Sequence, residues 1–82
     1  MTGAHRRILV VEDDPETADQ LVEELTISGY DVDLAASGRE ALSRGAARDY
    51  AVITIDRMLP DIDGITVMRQ MRGDGIAVPF LI

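Results

Sequence analysis

The chain has 82 residues, enough for one small domain, and its formal net charge is -7. Fifteen acidic residues outnumber eight basic ones, all of them arginine, so we expect no direct contact with nucleic acid or an anionic membrane. No cysteine is present, which excludes disulfides, thiolate zinc sites and a cysteine nucleophile. Since 46% of the residues are hydrophobic and no apolar run could span a membrane, the composition favours a soluble, cytoplasmic domain.

A buried strand followed by a helix is predicted at the start of the chain. Residues 7–11 contain the continuous aliphatic run ILVV, which is typical of a strand buried on both faces. Asp14 directly before Pro15 predicts a helix start, because proline suits the first helical position. Gly29 suits the left-handed residue that ends a helix. Asp14 is therefore interpreted as a helix cap and not as a metal ligand.

The second predicted unit has the same order of elements. Residues 30–34 alternate between apolar and polar side chains, which indicates a strand with one polar face. Ser37 and Glu40 have the spacing of a capping box, in which each side chain bonds the other's backbone N–H. A helix is expected from there through Ala46 and Ala47.

A third unit begins with the apolar run at residues 51–55, which ends at Asp56. A loop containing Pro60 then leads to a helix that starts at Asp63-Gly64 and carries Met68 and Met71, interpreted as core residues. A fourth apolar run, residues 76–82, predicts another strand, and the sequence ends within it.

Alternating strands and helices predict a doubly wound α/β fold with a parallel sheet and right-handed crossovers. The first and third strands are apolar throughout and the second alternates, so the second belongs at an edge and the order 2-1-3-4 is expected. In such sheets, ligands bind beyond the carboxyl ends of the strands, where the connection reverses direction. Glu12, Asp13 and Asp56 follow the first and third strands at that point.

Three crowded carboxylates at this edge predict a site for a hard divalent cation. Crowded carboxylates repel one another unless a cation joins them, and oxygen ligands favour Mg²⁺, Ca²⁺ or Mn²⁺. Zinc is not expected, because the sequence lacks cysteine and its single histidine is His5, near the terminus. A cation there would attract a phosphoryl group, and an ionised Asp beside it can be the nucleophile.

Two motifs carry a family resemblance. Residues 8–15, ILVVEDDP, are similar to the opening of the receiver domains of two-component response regulators. Residues 56–64, DRMLPDIDG, resemble the phosphorylation-site signature of that family, an Asp followed by Met-Leu-Pro and then Gly. The resemblance covers essentially the whole chain. It implies a flavodoxin-like sheet of order 2-1-3-4(-5), with Asp56 as the phosphoacceptor.

The resemblance also implies the ligands and the partners. Asp13, Asp56 and the Met58 backbone carbonyl would bind Mg²⁺ directly, and Glu12 would act through a water molecule. The phosphoryl donor would be a sensor histidine kinase or a small molecule such as acetyl phosphate. Such a domain is a phosphoprotein and not an enzyme in the usual sense, and it switches an output domain. The motif style is similar to that of regulators with a winged-helix DNA-binding domain, which implies transcription regulation.

The chain departs from the family pattern at its end. The family has a Ser or Thr after the fourth strand and a Lys after the fifth, and the sequence stops inside the fourth strand with no lysine. We therefore expect residues 1–82 to form an incomplete receiver that lacks the end of strand four, helix four, strand five and helix five. An apolar edge at Val78, Phe80, Leu81 and Ile82 then predicts a homodimer or a swapped oligomer.

Other interpretations of the acidic residues stay open. A Mg²⁺-dependent phosphohydrolase could use the same sheet, and an inactive receiver-like fragment could simply self-associate. Residues 61–66, DIDGIT, are superficially similar to the motif of haloacid-dehalogenase phosphatases, but no buried strand directly precedes them. Asp61 and Asp63 are therefore interpreted as a loop residue and a cap. Glu12 and Asp13 could also be solvated charges at a strand end.

Overall fold

The computed structural model describes residues 6–82, so His5 lies outside the described residues. Parallel strands alternate with helices in the order β1 (Arg7–Val11), α1 (Pro15–Ile27), β2 (Asp31–Ala35), α2 (Gly38–Ala47), β3 (Val52–Ile55), α3 (Gly64–Gly73) and β4 (Phe80–Leu81). The strands form one sheet of order β2-β1-β3-β4. The predicted α/β fold and strand order are confirmed. No helix within residues 6–82 has the length and apolar character needed to cross a membrane.

The central position of β1 explains its aliphatic sequence. β1 pairs with both β2 and β3, and in register Val11 lies between Ala35 and Ile55. Leu9 and Val10 are fully buried because helices cover both faces of the sheet at this strand. A strand with neighbours on both sides and apolar layers above and below gives the rigid base from which the following loop projects.

β2 begins one residue later than predicted. The alternating pattern predicts that Tyr30 starts the strand, but its N–H donates to the Leu25 carbonyl 3.1 Å away, so Tyr30 belongs to the turn that follows α1. Gly29 has a φ of 97°, the left-handed conformation expected of it, and this turns the chain from α1 into β2. The alternation of apolar and polar side chains in residues 30–34 gave no indication that Tyr30 would belong to the turn.

Short side chains cap the helices as the sequence predicts, with one difference. The Asp14 carboxylate accepts from the Thr17 N–H at 3.0 Å, and Ser37 Oγ accepts from the Glu40 N–H at 3.1 Å. The Glu40 carboxylate, however, lies 3.6 Å from Arg44 Nε, one turn along α2. Within the described residues, only one of the two bonds of the predicted capping box is therefore present.

β4 is shorter than the predicted strand at residues 76–82. Only Phe80–Leu81 is regular strand, although the Ile53 N–H already donates to the Pro79 carbonyl at 3.0 Å. Pro79 has no N–H for a ladder of its own, which limits the strand at this end. The Arg72 guanidinium lies over the Phe80 ring, 5.0 Å from its centre, and holds the segment that enters β4 against α3.

A buried tyrosine between α2 and β3 bonds a carboxylate of β2. The Tyr50 hydroxyl donates to Asp33 Oδ2 at 2.7 Å, and Arg7 Nη1 lies 3.3 Å from Asp33 Oδ1. Burial, together with the hydrogen bond and charge of Asp33, raises the pKa of Tyr50 from 10.0 to about 12. The neutral phenol is thus the form that the fold stabilises, and this stabilisation disappears as pH rises through about 12.

We expect Tyr50→Phe to lower the free energy of unfolding by about 1.5 kcal/mol, because the Asp33 carboxylate loses a hydrogen bond. An absorbance titration of the phenolate band should show one step near pH 12 in the wild type and in Tyr30→Phe. The step should be missing in Tyr50→Phe. A Tyr50→Phe chain that kept this step would contradict the assignment.

Candidate functional site

Two neighbouring strands bring acidic residues to the same edge of the sheet. β1 and β3 run parallel, and their last residues, Val11 and Ile55, are partners in register. Hydrogen bonding continues one residue beyond each strand: the Asp56 N–H donates to the Val11 carbonyl at 3.1 Å, and the Glu12 N–H donates to the Ala35 carbonyl at 3.0 Å. The backbone of both acidic residues is therefore fixed by the sheet and not by a flexible loop.

The structure brings together Glu12, Asp13 and Asp56. One carboxylate oxygen from each of the three lies within 4.8 Å of the other two. Asp13 is exposed, whereas Glu12 and Asp56 are half-buried. Three oxygen ligands at this separation, with an open side toward solvent, have the composition and the access that Mg²⁺ prefers, since it keeps several of its waters. Within residues 6–82 this is the one group of three or more such side chains that lie close enough together to hold a metal ion.

The raised pKa of Glu12 reflects partial burial first and the neighbouring carboxylates second. Partial burial raises the pKa of Glu12 above its ordinary 4.5, and the charges of Asp56 and Asp13 raise it further, while a hydrogen bond from the Asp14 N–H lowers it. Because the folded pKa of Glu12 is the higher one, the contribution of this side chain to the stability of the cation-free fold falls as pH rises above 4.5. A bound cation would remove this penalty.

Met58 lies beside the cluster through its backbone. Its N–H donates to Asp56 Oδ1 at 3.2 Å, which limits rotation of that carboxylate, while its side chain is 81% exposed. The backbone of Met58 is thus in the same turn as the Asp56 carboxylate. The role of its carbonyl as a metal ligand stays a prediction.

Gly64 closes the loop that begins at Asp56. Its N–H donates to the Arg57 carbonyl at 2.8 Å, and a Cβ atom built on Gly64 would lie 2.3 Å from the Asp56 carbonyl oxygen. Only a residue without a side chain permits this approach. The sequence placed Gly64 in the signature but did not reveal that it lies against the backbone of Asp56.

Sequence reasoning missed the partners of Asp61. Its carboxylate accepts from the Gly38 N–H at 2.8 Å and from the Arg39 N–H at 3.0 Å, at the start of α2. These bonds lower the pKa of Asp61 below its ordinary 3.8. Asp63 caps α3 as predicted, accepting from the Thr66 N–H at 3.0 Å. Both carboxylates of the phosphatase-like stretch are thus engaged by helix N-termini, which does not favour the phosphatase interpretation.

An open groove lies next to the carboxylates. Its volume is about 340 Å³, and its lining includes Glu12 and Asp56 together with the apolar residues Leu21, Ile55 and Leu81. The cluster is therefore reachable by a group as large as a phosphoryl. The groove therefore has both acidic and apolar side chains in its lining.

A charge-removing substitution separates repulsion from metal binding. Without divalent cations, we expect Asp13→Asn to raise the midpoint of thermal unfolding by roughly 2 to 4 °C, the effect of about 0.5 kcal/mol in a domain of this size. Mg²⁺ should then stabilise the wild type by mass action and Asp13→Asn much less. Asp14→Asn is the matched control, because it removes a neighbouring charge while asparagine still caps α1. An equal response to Mg²⁺ in all three chains would exclude Asp13 as a ligand.

Known proteins resemble this chain in sequence along nearly its whole length. The family profile of the response regulator receiver domain matches residues 8–82. Response regulator MprA of Mycobacterium tuberculosis is 42% identical over 76 residues, which are 93% of this chain and 33% of that protein. MprA of Mycobacterium avium is 41% identical over the same coverage. The chain thus spans about a third of the length of the curated relatives that it matches.

Solved structures have the same fold. A Francisella response regulator receiver domain superposes with a TM-score of 0.88 at 33% identity, covering 92% of this chain and 62% of that one. Response regulator TrrA of Thermotoga maritima, solved in complex with Mg²⁺-BeF, gives 0.86 at 35% identity, covering 92% and 65%. The family resemblance seen in the two sequence motifs is confirmed. This chain belongs to the response regulator receiver domain family of two-component signalling.

Proposed function

We propose that Asp56 accepts a phosphoryl group from a histidine kinase in a Mg²⁺-dependent reaction. The observation that carries this proposal is the convergence of one oxygen each from Glu12, Asp13 and Asp56 within 4.8 Å, in a chain whose residues 8–82 match the receiver family. One of these carboxylates is the nucleophile and the others are available to hold the cation. Asp56 is the candidate nucleophile because it occupies the acceptor position of the signature.

The transfer would form one bond and break one. A carboxylate oxygen of Asp56 attacks phosphorus, and the P–N bond of the phosphohistidine breaks with its electron pair left on the imidazole. With acetyl phosphate, a P–O bond breaks and acetate leaves. The Met58 N–H orients the acceptor carboxylate, and a cation held by Asp13, Asp56 and the Met58 carbonyl, with Glu12 acting through water, would neutralise charge on the transferring oxygens.

Relatives support the proposed partners. TrrA is also solved in complex with histidine kinase ThkA, with 35% identity to this chain, so we propose a sensor histidine kinase as phosphoryl donor. MprA is about three times as long as the matched segment, which supports the presence of an output domain. The style of the signature motif favours an output domain that binds DNA. We propose a cytoplasmic location for this signalling step. Self-association through the edge strand β4, where Leu81 is 62% exposed, stays a prediction.

The stoichiometry of labelling tests the proposal. The chain is incubated with acetyl phosphate with and without Mg²⁺, and both the mass of the intact chain and the phosphate released are followed. A receiver should gain one phosphoryl group per chain, only with Mg²⁺, and lose it slowly. Repeated phosphate release without a stable label would instead support the phosphohydrolase, and a chain without label in either condition would support an inactive fragment.

A further inference from the structure

The loop from Arg57 to Asp63, here called the acceptor loop, connects the acceptor aspartate to α3. Its two ends are fixed locally, since the Gly64 N–H donates to the Arg57 carbonyl at 2.8 Å and Asp63 caps α3. Met58, which lies near one end, donates to the Asp56 carboxylate. The tip of the loop therefore needs a separate contact if the backbone at Met58 is to keep one position.

Asp61 provides this contact with α2. Its two carboxylate oxygens accept from two consecutive backbone N–H groups, Gly38 at 2.8 Å and Arg39 at 3.0 Å. Gly38 permits the approach, because a Cβ atom there would lie 3.0 Å from Ile62 Cβ and 3.2 Å from Asp61 Oδ1. A paired bond from a carboxylate to two helix N–H groups fixes both distance and orientation.

α2 has its own cap in addition to this contact. Ser37 Oγ accepts from the Glu40 N–H at 3.1 Å, and the Ala41 N–H donates to the Ser37 carbonyl at 3.0 Å. Ser37 and Asp61 thus satisfy different N–H groups of the same helix start. Removing Ser37 Oγ would therefore remove a bond within α2, whereas removing the Asp61 carboxylate would remove the hydrogen bonds between α2 and the acceptor loop.

Restricted backbone torsions between Asp61 and Met58 link the position of Asp61 to the metal site. Pro60 has a fixed φ and restricts the preceding residue, Leu59, which is itself partly buried against the core. Few torsions are therefore free between Asp61 and Met58. We expect a shift of Asp61 away from α2 to displace the Met58 backbone as well.

We propose that Asp61 is a positioning residue that holds the acceptor loop against α2 and thereby sets the affinity of the acidic cluster for Mg²⁺. This inference rests on the proposed function, because the Mg²⁺ site whose affinity Asp61 would set is the one proposed there. Without the carboxylate, only part of the molecules have the binding conformation of the loop, and the apparent affinity falls by that fraction.

Mg²⁺ titration of the metal-free chain tests the inference, with the metal alone as the probe and calorimetry as the measurement. We expect Asp61→Ala to weaken apparent Mg²⁺ affinity roughly three- to tenfold. Asp61→Asn keeps one oxygen that can accept a hydrogen bond, so it should lose less Mg²⁺ affinity than Asp61→Ala. Ser37→Ala is the matched control: it should lower the midpoint of unfolding while its Mg²⁺ affinity stays that of the wild type.

The backbone amide resonance of Met58 gives a second measurement that does not depend on the metal. In the metal-free chain it should shift in Asp61→Ala and stay in place in Ser37→Ala. An unchanged Met58 amide in Asp61→Ala, or an equal loss of Mg²⁺ affinity in Asp61→Ala and Ser37→Ala, would overturn the positioning role. A wild type that binds no Mg²⁺ would overturn the metal-affinity claim and the proposed function together, and the Met58 shift would still decide whether Asp61 positions the loop. If Asp61→Ala does not fold, Asp61→Asn is compared in the same two measurements.

Discussion

Gly64→Ala should destabilise the fold by about 3 kcal/mol and remove Mg²⁺ binding at the acidic cluster. A methyl group at this position would lie 2.3 Å from the Asp56 carbonyl oxygen and 3.2 Å from Arg57 Cα, and both of these are backbone atoms that cannot rotate away. Either the hydrogen bond from the Gly64 N–H to Arg57 breaks or Asp56 moves from the end of β3. Both changes displace the Asp56 carboxylate from Glu12 and Asp13. Urea unfolding and Mg²⁺ titration of the same sample measure the two effects.

Gly73→Ala is the matched control for this substitution. Gly73 is in the same helix, α3, and a Cβ atom there would meet nothing within 4 Å. The usual helical preference for alanine should then stabilise the chain by about 0.5 to 1 kcal/mol, with Mg²⁺ affinity unchanged. Equal stability changes in Gly64→Ala and Gly73→Ala would show that the acceptor loop tolerates a side chain at Gly64.

Asp56→Asn should abolish labelling by acetyl phosphate while leaving the fold intact. The amide has nearly the same shape as the carboxylate, and its oxygen can still accept the Met58 N–H, so the loop keeps its conformation. It is not a nucleophile at neutral pH, and it carries no charge to bind the cation. Removing this charge also relieves the repulsion that raises the pKa of Glu12, so the metal-free variant should be at least as stable as the wild type.

Intact mass measures the label, and circular dichroism checks the fold. Asp74→Asn is the control for loss of one charge, because Asp74 is exposed at the end of α3. It should be labelled like the wild type. Labelling that persists in Asp56→Asn would show that another residue is the acceptor.

The sequence predicts most of the fold because the deciding signals are local. A run of aliphatic residues predicts β1, and an aspartate before proline predicts the start of α1. The convergence of Glu12 and Asp56 also follows from topology, since the carboxyl ends of adjacent parallel strands meet at one edge. This convergence can therefore be predicted without any information about the conformation of the loops.

What the sequence could not predict depends on contacts between distant segments. Asp61 bonds N–H groups 22 and 23 positions away, and an aspartate in a loop gives no indication of such a partner. The pairing of Tyr50 with Asp33 is of the same kind. Gly64 had a weak local signal, the Asp-Gly pair at a helix start, but the close approach to Asp56 depends on how the whole loop closes.

Locating the phosphoryl group is the most direct test of the central claim, that Asp56 beside Glu12 and Asp13 is a Mg²⁺-dependent phosphoacceptor. The chain is labelled with acetyl phosphate, cleaved into peptides at low temperature and mapped by mass spectrometry. We predict one phosphoryl group, on the peptide that contains Asp56, and no label when Mg²⁺ is removed with EDTA. A phosphoryl group on another peptide, or equal labelling of Asp56 without Mg²⁺, would contradict this account.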